Sequence, residues 1–197
     1  MEKRPASRAI ADDAQITHLI GGWRAGDRAA ESRVFDSLYS SLRAQALHCL
    51  RRESLGHSVS PTLLVNEAYI VLSRVRRLDV NDRDHFIRIV SRIMKNLLID
   101  RARERKALIR GGGMKQVYWE GAAAATDSDA DRILAVAAAL EELAARSPEL
   151  ARMVELRFFC GFTEGETAEI QGSSPRTVRR QWAVARTRLM ETLDGVF

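Results

Sequence analysis

Cysteine is scarce in this sequence: Cys49 and Cys160 are the only two, far apart and each inside a helical pattern. Two such residues exclude a disulfide framework and offer no metal-ligand spacing. Cys49 follows His48, but sequence neighbours on a helix do not face each other, so Cys49 reads as a small buried hydrophobe. His18, His57 and His85 have no ligand spacing with carboxylates. A nucleophile elbow is missing, and Gly111 to Gly113 lack the strand and helix of a phosphate-cradling loop. No metal, cofactor or catalytic residue is therefore expected, and the chain does not read as an enzyme. No apolar run approaches the roughly 20 residues that a membrane span needs. Met1 to Gln15 lacks the apolar centre of a signal peptide. The expected compartment is the cytoplasm, without a membrane partner.

Aromatic residues are also few, 6% of the chain, and segments rich in Ala, Leu, Arg and Glu take their place, which points to helices. No strand alternation stands out. The expected class is all-α: two small helical domains joined by a flexible linker, the C-terminal one a helix-turn-helix. Residues 1–15 are polar and patternless and read as a mobile tail. The first domain covers 16–107, the linker 108–129 and the second domain 130–197. Gly21, Gly22, Gly26 and Asp27 break the first helical stretch. From about Arg28 to Arg52, Val34, Leu38, Leu42 and Ala46 line one face. Ser60 is the N-cap and Pro61 the first residue of the next helix, which turns Leu64, Ala68, Val71, Leu72 and Val75 inward. A helix from about Arg83 to Lys106 follows, with Phe86, Val90, Ile93 and Leu97 on one side. The Gly/Ala/Ser/Thr segment after Gly113, interrupted by Tyr118 and Trp119, is too long for an ordinary connection inside a domain.

The net charge is +5, and its distribution says more than its sum. Between Arg83 and Lys115 basic residues far outnumber the acidic Asp84, Asp100 and Glu104. This stretch reads as a surface for DNA backbone and unpaired bases. A second basic cluster lies near the C-terminus, in the segment Phe162 to Leu193. There, Thr163 and Glu166 form a capping box, Ala168 allows close helix approach, and Gly172 supplies a turn. Ser174 and Pro175 start a second helix, whose buried stripe is Val178, Trp182, Ala185 and Leu189. The face left outside shows Arg176, Thr177, Arg179, Arg180 and Gln181 at the end from which a recognition helix reads base edges. Arg pairs bidentately with guanine and Gln with adenine; the remaining Arg residues suit phosphates.

These segments resemble extracytoplasmic-function sigma factors. Leu64-Val65-Asn66-Glu67-Ala68-Tyr69 is similar to that family's Leu-Val-Gln-Glu-Val-Phe run. Ile87 to Arg103, with Asn96-Leu97-Leu98-Ile99-Asp100-Arg101, resembles its Asn-x-x-x-Asp-x-x-Arg segment. Val154 to Phe159 and Ser174 to Val178 resemble its C-terminal domain, in the right order from Ile16 to Leu193. The resemblance implies a transcription initiation factor that binds core RNA polymerase and recognises and melts promoter DNA. It implies that Leu64, Asn66, Glu67 and Ile70 dock on the clamp helices of the beta-prime subunit. Arg83, Arg88, Arg92, Lys95, Asn96, Arg101 and Arg103 would engage the minus-ten element. Arg176 to Gln181 would read the minus-thirty-five element, with that domain also touching the beta flap.

One departure is informative. The family's acidic run before Leu-Val-Gln-Glu is replaced by Ser60-Pro61-Thr62-Leu63, so negative charge facing the polymerase is missing. A phosphate at Thr62, or at Ser60, restores about −1.5 to −2 charges at a helix N-terminus that favours them. A Ser/Thr kinase or an anti-sigma factor is then the expected controlling partner. A different class fits the same helix-turn-helix: a stand-alone DNA-binding repressor or activator, which binds duplex operator DNA without polymerase, usually as a symmetric dimer.

Overall fold

The structure is a computed structural model and describes residues 6–52, 59–75, 79–110 and 127–194. Every described element is helical, in agreement with the all-α expectation. In chain order they are α1 (Ala6–Arg24), α2 (Arg28–Arg52), α3 (Pro61–Ser73), α4 (Arg83–Arg110), α5 (Asp127–Arg146), α6 (Pro148–Val154), a π-helical turn (Glu155–Phe159), α7 (Glu164–Gln171) and α8 (Pro175–Asp194).

Several ends form where local chemistry dictates. Asp27 caps α2, its Oδ1 accepting from Ala29 N–H at 2.8 Å and Ala30 N–H at 3.2 Å. Ser60 caps α3 by accepting from Leu63 N–H at 3.1 Å, with Pro61 at the first position. The capping box of Thr163 and Glu166 closes in both directions, and Gly172 ends α7 in the left-handed region at φ 60°. Other boundaries differ from expectation. α1 starts at Ala6, inside the stretch read as a tail, and continues through Gly21 and Gly22. α4 runs on to Arg110 and α5 begins at Asp127, so the helices reach into the expected linker from both sides. Gly111 to Gly113, Tyr118 and Trp119 lie outside the described residues.

The first half, α1 to α4, packs around Val34, Leu38, Leu42 and Phe86, all at most 1% exposed. Trp23, Phe35, Phe86 and Tyr69 interlock edge to face, with ring centroids 4.5–6.3 Å apart. The buried stripe of α4 is Phe86, Val90, Met94, Leu98 and Ala102; Ile93 and Leu97, expected inward, are only partly covered. On α3, Leu64, Val65, Ala68 and Leu72 are buried, whereas Val71, and Val75 just beyond the helix end, stand exposed, against expectation. In the second half the expected stripe of α8 is present: Val178 and Ala185 are fully buried, and Trp182 and Leu189 pack on the core.

The two halves meet. α4 lies against α5 and the π-helical turn, and α2 also touches that turn. One continuous apolar core contains Leu50 and Leu98 from the first half and Ile133, Leu140 and Phe159 from the second. The sequence pointed to two units on a tether; in the structure they share a core. Polar links cross the same seam. Gln45 Nε2 donates to the Phe159 carbonyl at 2.6 Å, and the Cys49 thiol approaches that carbonyl at 3.7 Å. Lys95 pairs with Glu155 at 3.0 Å, and Lys106 pairs with Asp131.

Candidate nucleic-acid interface

α7, the turn Gly172 to Ser174, and α8 form a compact pair of helices. Ser174 Oγ accepts from Thr177 N–H at 3.1 Å and lies 3.0 Å from Thr177 Oγ1, so Ser174 caps α8 and Thr177 is spent locally. With Val178 and Ala185 buried, the opposite side of the first turns of α8 faces outward. Arg176, Arg179 and Arg180 are exposed there, and Thr177 and Gln181 are half-buried. Arg179 is not loose: its Nη2 donates to Glu164 Oε2 at 2.7 Å and its Nε to the same oxygen at 3.1 Å. This contact holds the Glu164 carboxyl below its usual range, chiefly through the hydrogen bonds and also through the charges of Arg179 and Arg157. Glu164 carried no local signal in the sequence, because its partner lies across the turn rather than one helical turn away.

α4 supplies the second set of expected residues, and the structure gives them different surroundings. Arg92 and Asn96 are exposed. Arg103 is exposed beside Asp100, 3.5 Å away. Arg83 pairs with Asp84 at 3.2 Å, and Arg88 Nε donates to the Asp84 carbonyl at 3.3 Å. Lys95 is only 18% exposed, tied to Glu155 and lying 5.4 Å over the Phe159 ring. Arg101 pairs with Glu67 of α3, which joins two residues that the sequence had assigned to different partners. Arg88, Arg92 and Lys95 line a cavity of about 440 Å³ between the halves, opposite Arg152 and Glu155. The basic side of α4 is therefore partly roofed by the second half. Cys160 closes one wall of this cavity; burial pushes its thiol up to about 11, partly opposed by the neighbouring Ser91 hydroxyl.

α3 carries the third set. Leu64 is fully buried, so its side chain supports the helix from within and is not available to a partner. Asn66 is exposed and Ile70 is 48% exposed, next to exposed Val71 and Val75. Together they form an apolar stripe with a polar edge, a pattern typical of protein contact surfaces. Thr62 and Ser60 are both exposed at the start of the same helix.

Among the described residues no group of His, Cys, Asp and Glu could hold a metal ion, and no helix is long and apolar enough to cross a membrane. No curated protein and no solved structure matches the chain significantly. A family model described as ECF sigma factor matches residues 13–195, nearly the whole chain and all three surfaces. Proteins of this kind are transcription factors rather than enzymes, and they act with core RNA polymerase on promoter DNA. The continuous match across α1 to α8 establishes that the chain belongs to the ECF sigma factor family and is a transcription initiation factor.

Proposed function

We propose that the chain uses its three surfaces for three tasks in promoter recognition. The edge of α3, with exposed Asn66 and Ile70 and the partly buried Glu67 beside them, docks on the clamp helices of the beta-prime subunit. The basic side of α4, led by Arg92, Asn96 and Arg103, engages and melts the minus-ten element. The first turns of α8 read the minus-thirty-five element while the second half contacts the beta flap. The observation that carries this reading is the arrangement of α8. Its apolar stripe is buried in the second half, and three arginines project from the end that enters a major groove. Lys95, tied to Glu155 across the seam, becomes available to the strand when the halves part, whereas Arg83, Arg88 and Arg101 exchange contacts made within the first half for the strand.

Run-off transcription with purified core polymerase tests the reading. Arg176→Ala with Arg180→Ala is expected to cut promoter-specific transcript about tenfold or more, at about 1–3 kcal/mol per lost base or phosphate contact. Unchanged transcript overturns the role given to Arg176 and Arg180; duplex binding equally tight without polymerase favours a stand-alone regulator instead.

Control is proposed to act at Thr62. Thr62 is exposed in the first turn of α3, on the helix proposed to face the polymerase. The family's acidic run is absent there, and a phosphate placed at a helix N-terminus supplies that charge. Core-polymerase pull-down of unmodified, Thr62→Ala, Thr62→Glu and kinase-treated protein is expected to recover only the last two efficiently. Equal recovery of all four removes the phosphorylation switch and leaves an anti-sigma factor as the controlling partner.

A further inference from the structure

The contact between Glu164 and Arg179 bears on what α8 can recognise. A guanidinium has two edges that can each make a pair of parallel hydrogen bonds. One edge is Nε with the near side of Nη2. The other is Nη1 with the far side of Nη2. Glu164 occupies the first edge, with Nε to Oε2 at 3.1 Å, Nε to Oε1 at 3.3 Å and Nη2 to Oε2 at 2.7 Å. The second edge is left to the outside, on a side chain that is 72% exposed. That edge matches the paired O6 and N7 acceptors of guanine in a major groove.

Glu164 is itself well placed to hold the fork. It is the first residue of α7, where a carboxylate is favoured by the helix N-terminus, and its side chain is 29% exposed. Arg157 adds a second favourable charge; its guanidinium is anchored by a 2.6 Å bond to the Phe162 carbonyl. Arg176 and Arg180 have no carboxylate partner among the described residues and are free to follow phosphates.

We infer that Glu164 is a positioning residue that presents the outer edge of Arg179 to a guanine of the minus-thirty-five element. The inference rests on the promoter-reading role of α8 and adds the base and the residue that selects it. A fork already held in one orientation loses less rotamer freedom on binding, and a misplaced base then meets a donor pair that cannot swing away. Removing the carboxylate has two effects of opposite sign. Loss of a negative charge strengthens binding to every sequence through the phosphates. Loss of the support weakens the choice of base at one position only.

The test is run-off transcription by core polymerase with the full chain on a promoter pool randomised through the minus-thirty-five element, read as base preference per position. Wild type is expected to favour guanine about tenfold or more at one position. Arg179→Ala removes that preference. Glu164→Gln reduces it to about threefold or less while other positions keep theirs and total transcript stays level or rises. Arg179→Lys, which cannot make the two-bond contact, behaves like Arg179→Ala. Circular dichroism melts of each variant check that the fold is retained. If Glu164→Gln keeps the full guanine preference, or if Arg179→Ala leaves every preference intact, the pairing has no selective role and the inference falls alone. A flat wild-type profile overturns it together with the promoter-reading role of α8.

Discussion

Glu155→Lys probes the seam between the halves most directly. Lys95 and Glu155 sit 3.0 Å apart with side chains 18% and 37% exposed. A pair this open to water is worth about 0.5–1 kcal/mol. Reversing one sign removes that gain and adds a repulsion of similar size, with Arg88, Arg92 and Arg152 around the same cavity. The closed form is then weakened by about 1–2 kcal/mol, or about 5- to 30-fold in the ratio of open to closed molecules. Cysteines introduced at the exposed positions Ser37 and Met190 carry donor and acceptor dyes, while buried Cys49 and Cys160 stay unlabelled in the native protein. Energy transfer is expected to fall in the variant. Salt supplies a sharper sign. In wild type it screens an attraction and lowers transfer; in Glu155→Lys it screens a repulsion and raises it. Transfer that is the same in both proteins at every ionic strength refutes the role given to this ion pair.

Other expectations concern the frame that carries the surfaces. Phe86→Ala removes a fully buried ring that meets Trp23 and Phe35 edge to face, and is expected to cost about 3–5 kcal/mol in a denaturant titration. Gly172→Ala meets no atom within 4 Å but must hold φ at 60°, so chemical unfolding should register a purely backbone cost of about 1–2 kcal/mol. Cys160 shows its effect in alkali. Its thiol is raised from about 9 to about 11 in the folded chain, so the native state keeps the proton longer than the unfolded one. That stability is present below pH 9 and is lost as pH rises through 11. The difference between wild type and Cys160→Ala should narrow over that interval; a difference that stays constant contradicts the burial argument.

Local chemistry made much of this molecule legible. Ser60 with Pro61, Thr163 with Glu166, and Gly172 each announce a helix end through hydrogen bonds made within a few residues, and the structure contains all of them. The stripe Val34, Leu38, Leu42 and Ala46 is likewise a property of one helix. What stayed hidden depends on distant partners. Gln45 and Lys95 look like ordinary surface residues until Phe159 and Glu155 arrive from 114 and 60 residues away, respectively. α4 shows one apolar stripe in sequence, yet it is covered on a second side because α5 packs there. Val71 and Val75 fit a helical period but point outward, since periodicity counts apolar residues without saying which of two apolar faces finds a neighbour. The π-helical turn at Glu155–Phe159 has no compositional mark.

The shared core has a consequence for how the molecule is opened. Where α2, α4 and α5 meet, Cys49, Leu98, Ile133, Leu140 and Phe159 enclose a gap of only about 20 Å³, about the room of a single water. Parting the halves wets these side chains, and wetting hydrocarbon is hardly relieved by neutralising charge. Promoter DNA alone, however tightly it attracts the arginines, offers them no new cover. A large protein surface does; under the proposed function the polymerase would be that surface, and commitment to DNA would follow engagement with the enzyme.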